Sequence, residues 1–188
     1  SKLEAKGLKK LYNEIELPLI DVLYDMERIG FTVDRDTLGA MSKELNARIT
    51  SLEADIYECA GEKFNILSTK QLGTVLFEKL GLPPAKKTKT GYSTDSEVLE
   101  GLYDMHPIVP MILEYKTLTK LCSTFIDGLL PLIDKQGRVH TRFNQSVTAT
   151  GRISSTEPNL QNIPVRTQLG REIRKAFVAS LWMRIIRK

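Results

Sequence analysis

Apolar residues return every three or four positions along the first part of this chain, and that period fixes local structure before any other feature does. Leu8, Leu11, Ile15, Leu19, Val22, Met26 and Ile29 mark one face of a helix. Pro18 interrupts the run, kinking or splitting it, and Gly30 suits a C-terminal cap. Asp34 is placed to cap a second helix. Its stripe is Leu38, Met41, Leu45, Ile49, Leu52 and Ile56, with Gly61 just beyond. Both stripes read as core. Two long amphipathic helices joined by a short link are expected to pack as an antiparallel pair.

Further helix signals follow. Ser68 with Gln71 makes one capping box and Thr94 with Glu97 another. The first opens a helix that Gly81 closes before Pro83 and Pro84; the second opens a short helix to about Met105. Pro107 suits the first turn of a helix carrying Met111, Tyr115, Leu118, Cys122, Phe125 and Leu129 on one face. Between them, PPAKKTKTGYS has the composition of a loop. Its lysines and hydroxyls serve equally as a solvated tip or as a phosphate-contacting one.

Charge is uneven. The net charge is +4, yet residues 1–134 hold 16 Lys/Arg against 21 Asp/Glu, while residues 135–188 hold 11 against 2. That asymmetry fits a polyanionic partner for the C-terminal third, or an ordinary basic surface. No apolar run approaches the ~20 residues of a membrane span. The charged start, SKLEAKGLKK, is unlike a signal peptide. A cytoplasmic protein with no membrane partner is expected. Cys59 and Cys122 form no paired motif, and His106 and His140 are the only histidines, so no zinc site is expected.

After Pro131 the texture changes. RVHTRFNQ, from Arg138 to Gln145, alternates with Val139, Thr141 and Phe143 on one side, the pattern of a strand. Arg171 to Ala179 reads as a helical turn leading into a strand. Between lies TATGRISSTEPNLQNIPVR, Thr148 to Arg166, with Arg152, Asn159, Gln161, Asn162 and Arg166 among five hydroxyl residues. Such a segment contributes little apolar core, and a long polar segment held between regular elements is often functional. Arg, Asn and Gln can donate to the minor-groove acceptors that every base pair presents. Ser, Thr and backbone amides can hold phosphates alongside.

The run T-x-T-G-R-I-S-S-x-x-P-N-L-Q-N-I-P-x-R, followed by G-R-x-I-R-x-A-F-V-A, resembles the family A DNA polymerases of the bacterial DNA polymerase I type. LYNEIELPLIDVLYDMERIGFTVD, FNILSTKQLGTVLFEKLGL, KKTKTGYST and ILEYKTLTKL look like successive segments of the same family, in the family's order. The resemblance covers nearly all of residues 11 to 179. It implies a mainly α fold (α+β overall): a helical thumb with a long antiparallel helix pair, plus a small, incomplete β portion of the palm. Residues 1–12 would end an exonuclease-like domain, 13–134 form the thumb, and 135–188 begin the palm. It implies DNA contacts at the thumb tip through Lys86, Lys87, Lys89, Thr90, Ser93 and Thr94. It implies contact of Arg152 with the primer-terminal pair, and contacts of Asn159, Gln161 and Asn162 with the nearby duplex, with Arg166 close by.

The family's reaction is nucleotidyl transfer on metal ions held by palm aspartates, and two-metal chemistry needs carboxylates that place the two ions about 4 Å apart. The first such aspartate is expected shortly after the strand matching Ala176–Ala179. Here no Asp follows Asp134, no Glu follows Glu172, and SLWMRIIRK departs from the family pattern. The expectation is a truncated, frameshifted or incomplete DNA-directed DNA polymerase, or an end altered in cloning. No catalytic residue, metal ligand or bound cofactor is assigned; Mg2+ and deoxynucleotides are expected of the complete polymerase only. The expected partner is duplex primer–template DNA. A non-enzymatic helical interaction protein, or a non-functional remnant, is the alternative.

Overall fold

The structure is a computed structural model, and it describes residues 2–84, 87–88 and 91–178, with the backbone alone at Lys87 and Thr88. In chain order these form α1 (Lys2–Ala5), α2 (Lys9–Leu11), α3 (Leu17–Ile29), β1 (Phe31–Thr32), α4 (Arg35–Ala60), α5 (Thr69–Gly73), β2 (Lys87–Thr88), β3 (Gly91–Tyr92), α6 (Ser96–Glu100), α7 (Ile108–Leu121), β4 (Arg138–Val139), β5 (Arg142–Asn144), β6 (Ser154–Thr156) and α8 (Gln168–Lys175). π-helical stretches Tyr12–Glu16, Thr74–Lys79 and Cys122–Asp127 continue the helices beside them. The fold is mainly helical, with small two-stranded sheets. The chain divides into two compact units, one of residues 1–40 with 125–188, the other of residues 41–124.

Unit 41–124 is built on α4. Asp34 caps that helix: its Oδ1 accepts from the Asp36 and Thr37 amides, and Oδ2 accepts from the Thr37 hydroxyl at 2.7 Å. These bonds to the Thr37 backbone and side chain hold the Asp34 carboxyl below its ordinary value. The expected stripe lies inward, with Leu52 and Ile56 buried and Met41, Leu45 and Ile49 half-buried. Ile56 joins Ile66, Leu72, Leu76, Leu99 and Ile112 in one apolar cluster.

Within this unit, α4 and α7 lie side by side and antiparallel. Arg48 donates to both carboxylate oxygens of Glu114, each at 2.8 Å, and Asn46 Nδ2 reaches Cys122 Sγ at 3.6 Å. Residue numbers fall along α4 as they rise along α7, so the two run in opposite senses. Ser68 caps α5 by accepting from the Gln71 amide, as read from sequence. Gln71 itself reaches back past Ser68 to the Asn65 amide at 2.7 Å.

In unit 1–40 with 125–188, β1 pairs antiparallel with β4 in the register Phe31↔Val139 and Thr32↔Arg138. A bridge joins Val33 to Phe177. Leu38, Val139, Ile173 and Ala176 are fully buried around these short strands. The first helix departs from expectation. Leu8, Ile15 and Val22, read as core, are 41%, 54% and 53% exposed, while Leu23 is the buried residue of α3. Polar bonds fasten α3: the Glu27 carboxylate accepts from the Phe143 amide, and Gln145 Nε2 donates to Glu16 O and Oε2. Periodicity identifies a face suited to burial; it does not supply the surface that covers it.

Candidate nucleic-acid interface

The segment from Thr148 to Arg166 is held by a set of short polar bonds. β5 and β6 pair antiparallel with Arg142↔Thr156, Phe143↔Ser155 and Asn144↔Ser154. The alternation read over Arg138–Gln145 becomes two strands, β4 and β5, with Val139 and Thr141 buried and Phe143 half-buried. Thr141 Oγ1 lies 3.0 Å from Thr156 O and 2.7 Å from Pro158 O, sharing its one proton between them. It thereby ties β5 to the chain on both sides of the cis Glu157–Pro158 bond.

Asn159 caps the 3-10 turn Leu160–Asn162. Its Oδ1 accepts from the Gln161 amide at 3.1 Å and from the Ser155 hydroxyl at 3.4 Å. The Gln161 carboxamide donates from Nε2 to Ile153 O at 2.8 Å and accepts at Oε1 from the Ser155 amide at 2.9 Å. The Thr148 hydroxyl donates to Arg152 O.

α8 closes the segment from behind. Thr167 caps it by accepting from the Gly170 amide at 3.1 Å. Arg174 Nη2 donates to Ile163 O at 2.9 Å, and its Nε lies 3.4 Å from Pro164 O. Gly170 is required here, because a Cβ would stand 2.2 Å from Pro164 O. Thr141 and Arg174 thus support the segment from outside it, which its reading did not anticipate, while Thr148 and Ser155, read as hydroxyls able to hold phosphates, bond within it. The only signal for Thr141 was its place on the inward side of the alternation.

The predicted contact residues divide into two groups. Arg152, Asn162 and Arg166 are exposed, and among the described residues their side chains make no hydrogen bond or ion pair. Asn159 and Gln161 are exposed too, but their side chains are engaged within the segment. The ion pair of Arg142 with Glu157, at 3.5 Å, is largely exposed and contributes little.

The second predicted patch lies in unit 41–124. The segment read as a loop is a hairpin, with Lys87↔Tyr92 and Thr88↔Gly91 paired. Turn composition marks a chain reversal but does not separate an open loop from a tight pair. The hairpin is seated on α5: a Cβ at Gly73 would lie 3.2 Å from Tyr92 Cβ, and the Tyr92 ring packs on Phe77 with centroids 4.9 Å apart. Lys86, Lys89 and Thr90 lie outside the described residues, and Lys87 is described by its backbone in β2.

Ser93 is half-buried and donates to Asp95 Oδ2 at 2.7 Å. Thr94 does not share the exposed surface: it is 2% exposed, and among the described residues its hydroxyl has no hydrogen-bond partner. Nor is Thr94 the cap of α6. Asp95 is, accepting from the Val98 amide at 2.9 Å. The Thr94 carbonyl accepts from Lys116 Nζ at 2.8 Å, and burial pushes that ammonium below its ordinary value.

Among the described residues, no group of three or more His, Cys, Asp or Glu side chains is placed to hold a metal ion. No described helix is long and apolar enough to cross a membrane.

A helical chain passing into a small β portion, with a pinned polar segment that leaves two arginines outward, has a close counterpart among known proteins. The sequence model of DNA polymerase family A matches residues 35–186, and the chain belongs to that family. DNA polymerase I of Caldicellulosiruptor bescii is 59% identical over 94% of this chain and 21% of that protein. DNA polymerase I of Bacillus subtilis is 54% identical over 95% of this chain and 20% of its own length. The chain therefore spans about a fifth of the curated relatives it matches. A solved structure, the POL domain of Pol1 from M. smegmatis in complex with DNA primer-template and dNTP, is 43% identical with a TM-score of 0.88. It is matched over 95% of this chain and 32% of that one.

Proposed function

We propose that this chain is the part of a DNA-directed DNA polymerase that grips primer–template duplex, through minor-groove contacts from Arg152 and Asn162 and phosphate contacts nearby. The carrying observation is that Arg152 is exposed, with an unengaged guanidinium, just before β6, on a backbone pinned at Arg152 O, Ile153 O and Ser155 N. The likeness to a polymerase domain bound to DNA primer-template supports it. Arg166 adds positive charge, and the hairpin Lys87–Tyr92 with its lysines acts as a backbone-contacting tip. Residues 13–134 serve as thumb, 135–188 as the beginning of the palm, and 1–12 as the end of an exonuclease-like domain.

Template-directed synthesis in replication and repair, with its deoxynucleotides and Mg2+, belongs to the complete cytoplasmic polymerase.

Duplex binding by this chain should be independent of sequence and should fall steeply as salt rises, because released counterions drive it. Arg152→Ala should weaken it by about tenfold at low salt, with Arg28→Ala changing it less than about twofold. Salt-independent binding, or equal effects of the two substitutions, would remove the assignment.

A second reading, a helical interaction protein, is favoured by the exposed apolar residues Leu8, Ile15, Val22 and Ile29. Concentration-dependent association in sedimentation, without affinity for duplex, would select it.

A further inference from the structure

The position of the Gln161 carboxamide bears on the site beyond the contacts already described. Neighbouring residues of a strand point their amide and carbonyl groups to opposite edges. β6 uses one edge to pair with β5. On its other edge, Ile153 O and Ser155 N are both taken by the Gln161 side chain, at 2.8 and 2.9 Å. A carboxamide has the same donor and acceptor as a peptide unit. Bonding to the carbonyl of one residue and the amide two residues on is what a neighbouring parallel strand would do at Ser154.

Gln161 thus occupies the position of a third strand one peptide long. Asn159 fixes it there, through the bond from the Gln161 amide to Asn159 Oδ1. Arg152 lies one residue before the first of the two bonds, and Thr148 holds its own carbonyl.

We infer that Gln161 is a positioning residue: its carboxamide completes the outer edge of β6 and so fixes the backbone from which Arg152 reaches the duplex, rather than reading a base itself. Asn159 supports it from behind. This rests on the reading of Arg152 as a duplex contact, and the two stand or fall by different measurements.

The test is a double-substitution cycle on the full chain, read as affinity for a blunt DNA duplex at low salt. Gln161→Ala should weaken binding about five- to tenfold, of the order expected for two lost hydrogen bonds that order a contact. In the Arg152→Ala background the same change should cost less than about twofold, because coupled sites are not additive. Equal losses in both backgrounds would overturn the inference, since Gln161 would then touch DNA independently. No loss on Arg152→Ala alone would remove the Arg152 assignment instead.

Two readouts separate positioning from general loosening. The Ser155 amide should exchange faster with deuterium in Gln161→Ala while amides in residues 41–124 are unchanged; unchanged exchange at Ser155 would overturn the clamp whether or not DNA binds. Gln161→Glu keeps an acceptor for the Ser155 amide but sets a carboxylate oxygen against Ile153 O, so it should bind weakly at pH 8; wild-type affinity in Gln161→Glu counts against the inference. Should Gln161→Ala fail to fold, Gln161→Met fills the same space without the two bonds and is scored by the same outcomes.

Discussion

His140 and Asp134 face one another at 3.2 Å, and the same imidazole reaches the Glu27 carbonyl at 2.8 Å through its other nitrogen. A neutral imidazole can donate to only one of two acceptors; the imidazolium donates to both. The Glu27 carbonyl and then the Asp134 carboxylate accordingly raise the His140 pKa, against burial and the nearby Arg138. Asp134 is lowered, chiefly by the Arg138 amide and also by His140.

The raised histidine gives a stabilisation that is complete below about pH 6.5 and disappears as pH climbs through its folded value. The lowered carboxylate gives one that is complete above about pH 4 and disappears as pH falls through its folded value. Their joint contribution is therefore largest between those limits. Urea unfolding at pH 5.5 and 8.5 should show a lower stability at the higher pH. His140→Gln should flatten that difference, which solvent screening at this exposed pair keeps small. A wild-type chain equally stable at both values would refute the coupling.

Thr94 and Asp95 are adjacent residues with opposite consequences. Thr94→Val replaces a buried hydroxyl lacking a partner by a methyl of the same shape, and should stabilise the chain by about 1 kcal/mol. Asp95→Ala removes the cap of α6 and should cost about 1 kcal/mol. Thermal denaturation of the pair measures both signs, and a destabilised Thr94→Val would mean that its hydroxyl is satisfied in solution.

Leu52 and Val22 were both read as core positions, and the structure separates them. Leu52 is 1% exposed, and Leu52→Ala should cost about 2–5 kcal/mol. Val22 is on the open face of α3, and Val22→Ala should stay within about 0.5 kcal/mol. Similar losses in denaturant titrations would show that the open face is covered in solution.

The elements legible in the sequence were those fixed by local chemistry. Asp34 and Ser68 cap because an oxygen acceptor precedes a helix start, and the α4 stripe points inward because a long period of 3.6 fits one face. The alternation from Arg138 onward placed Val139 and Thr141 correctly inside. What escaped depends on the path of the chain. Thr94 and Asp95 are both capping residue types, and the burial of Val98 and Leu99 sets the phase between them. The contact of α4 with α7 joins residues 48 and 114, a separation that no local pattern encodes. The resemblance marked Gln161 as a duplex contact, but its bonds to Ile153 and Ser155 require the chain to return on itself between Ser155 and Gln161. No periodicity encodes that reversal.

The outer edge of β6 has a consequence for self-association. A two-stranded sheet leaves two flanks on which another polypeptide can lay down a strand, and unguarded flanks seed intermolecular pairing. Here one glutamine side chain occupies the flank at Ile153 and Ser155. If Gln161 holds that flank as proposed, its loss opens the flank to a second chain and should be felt in solubility as well as in affinity.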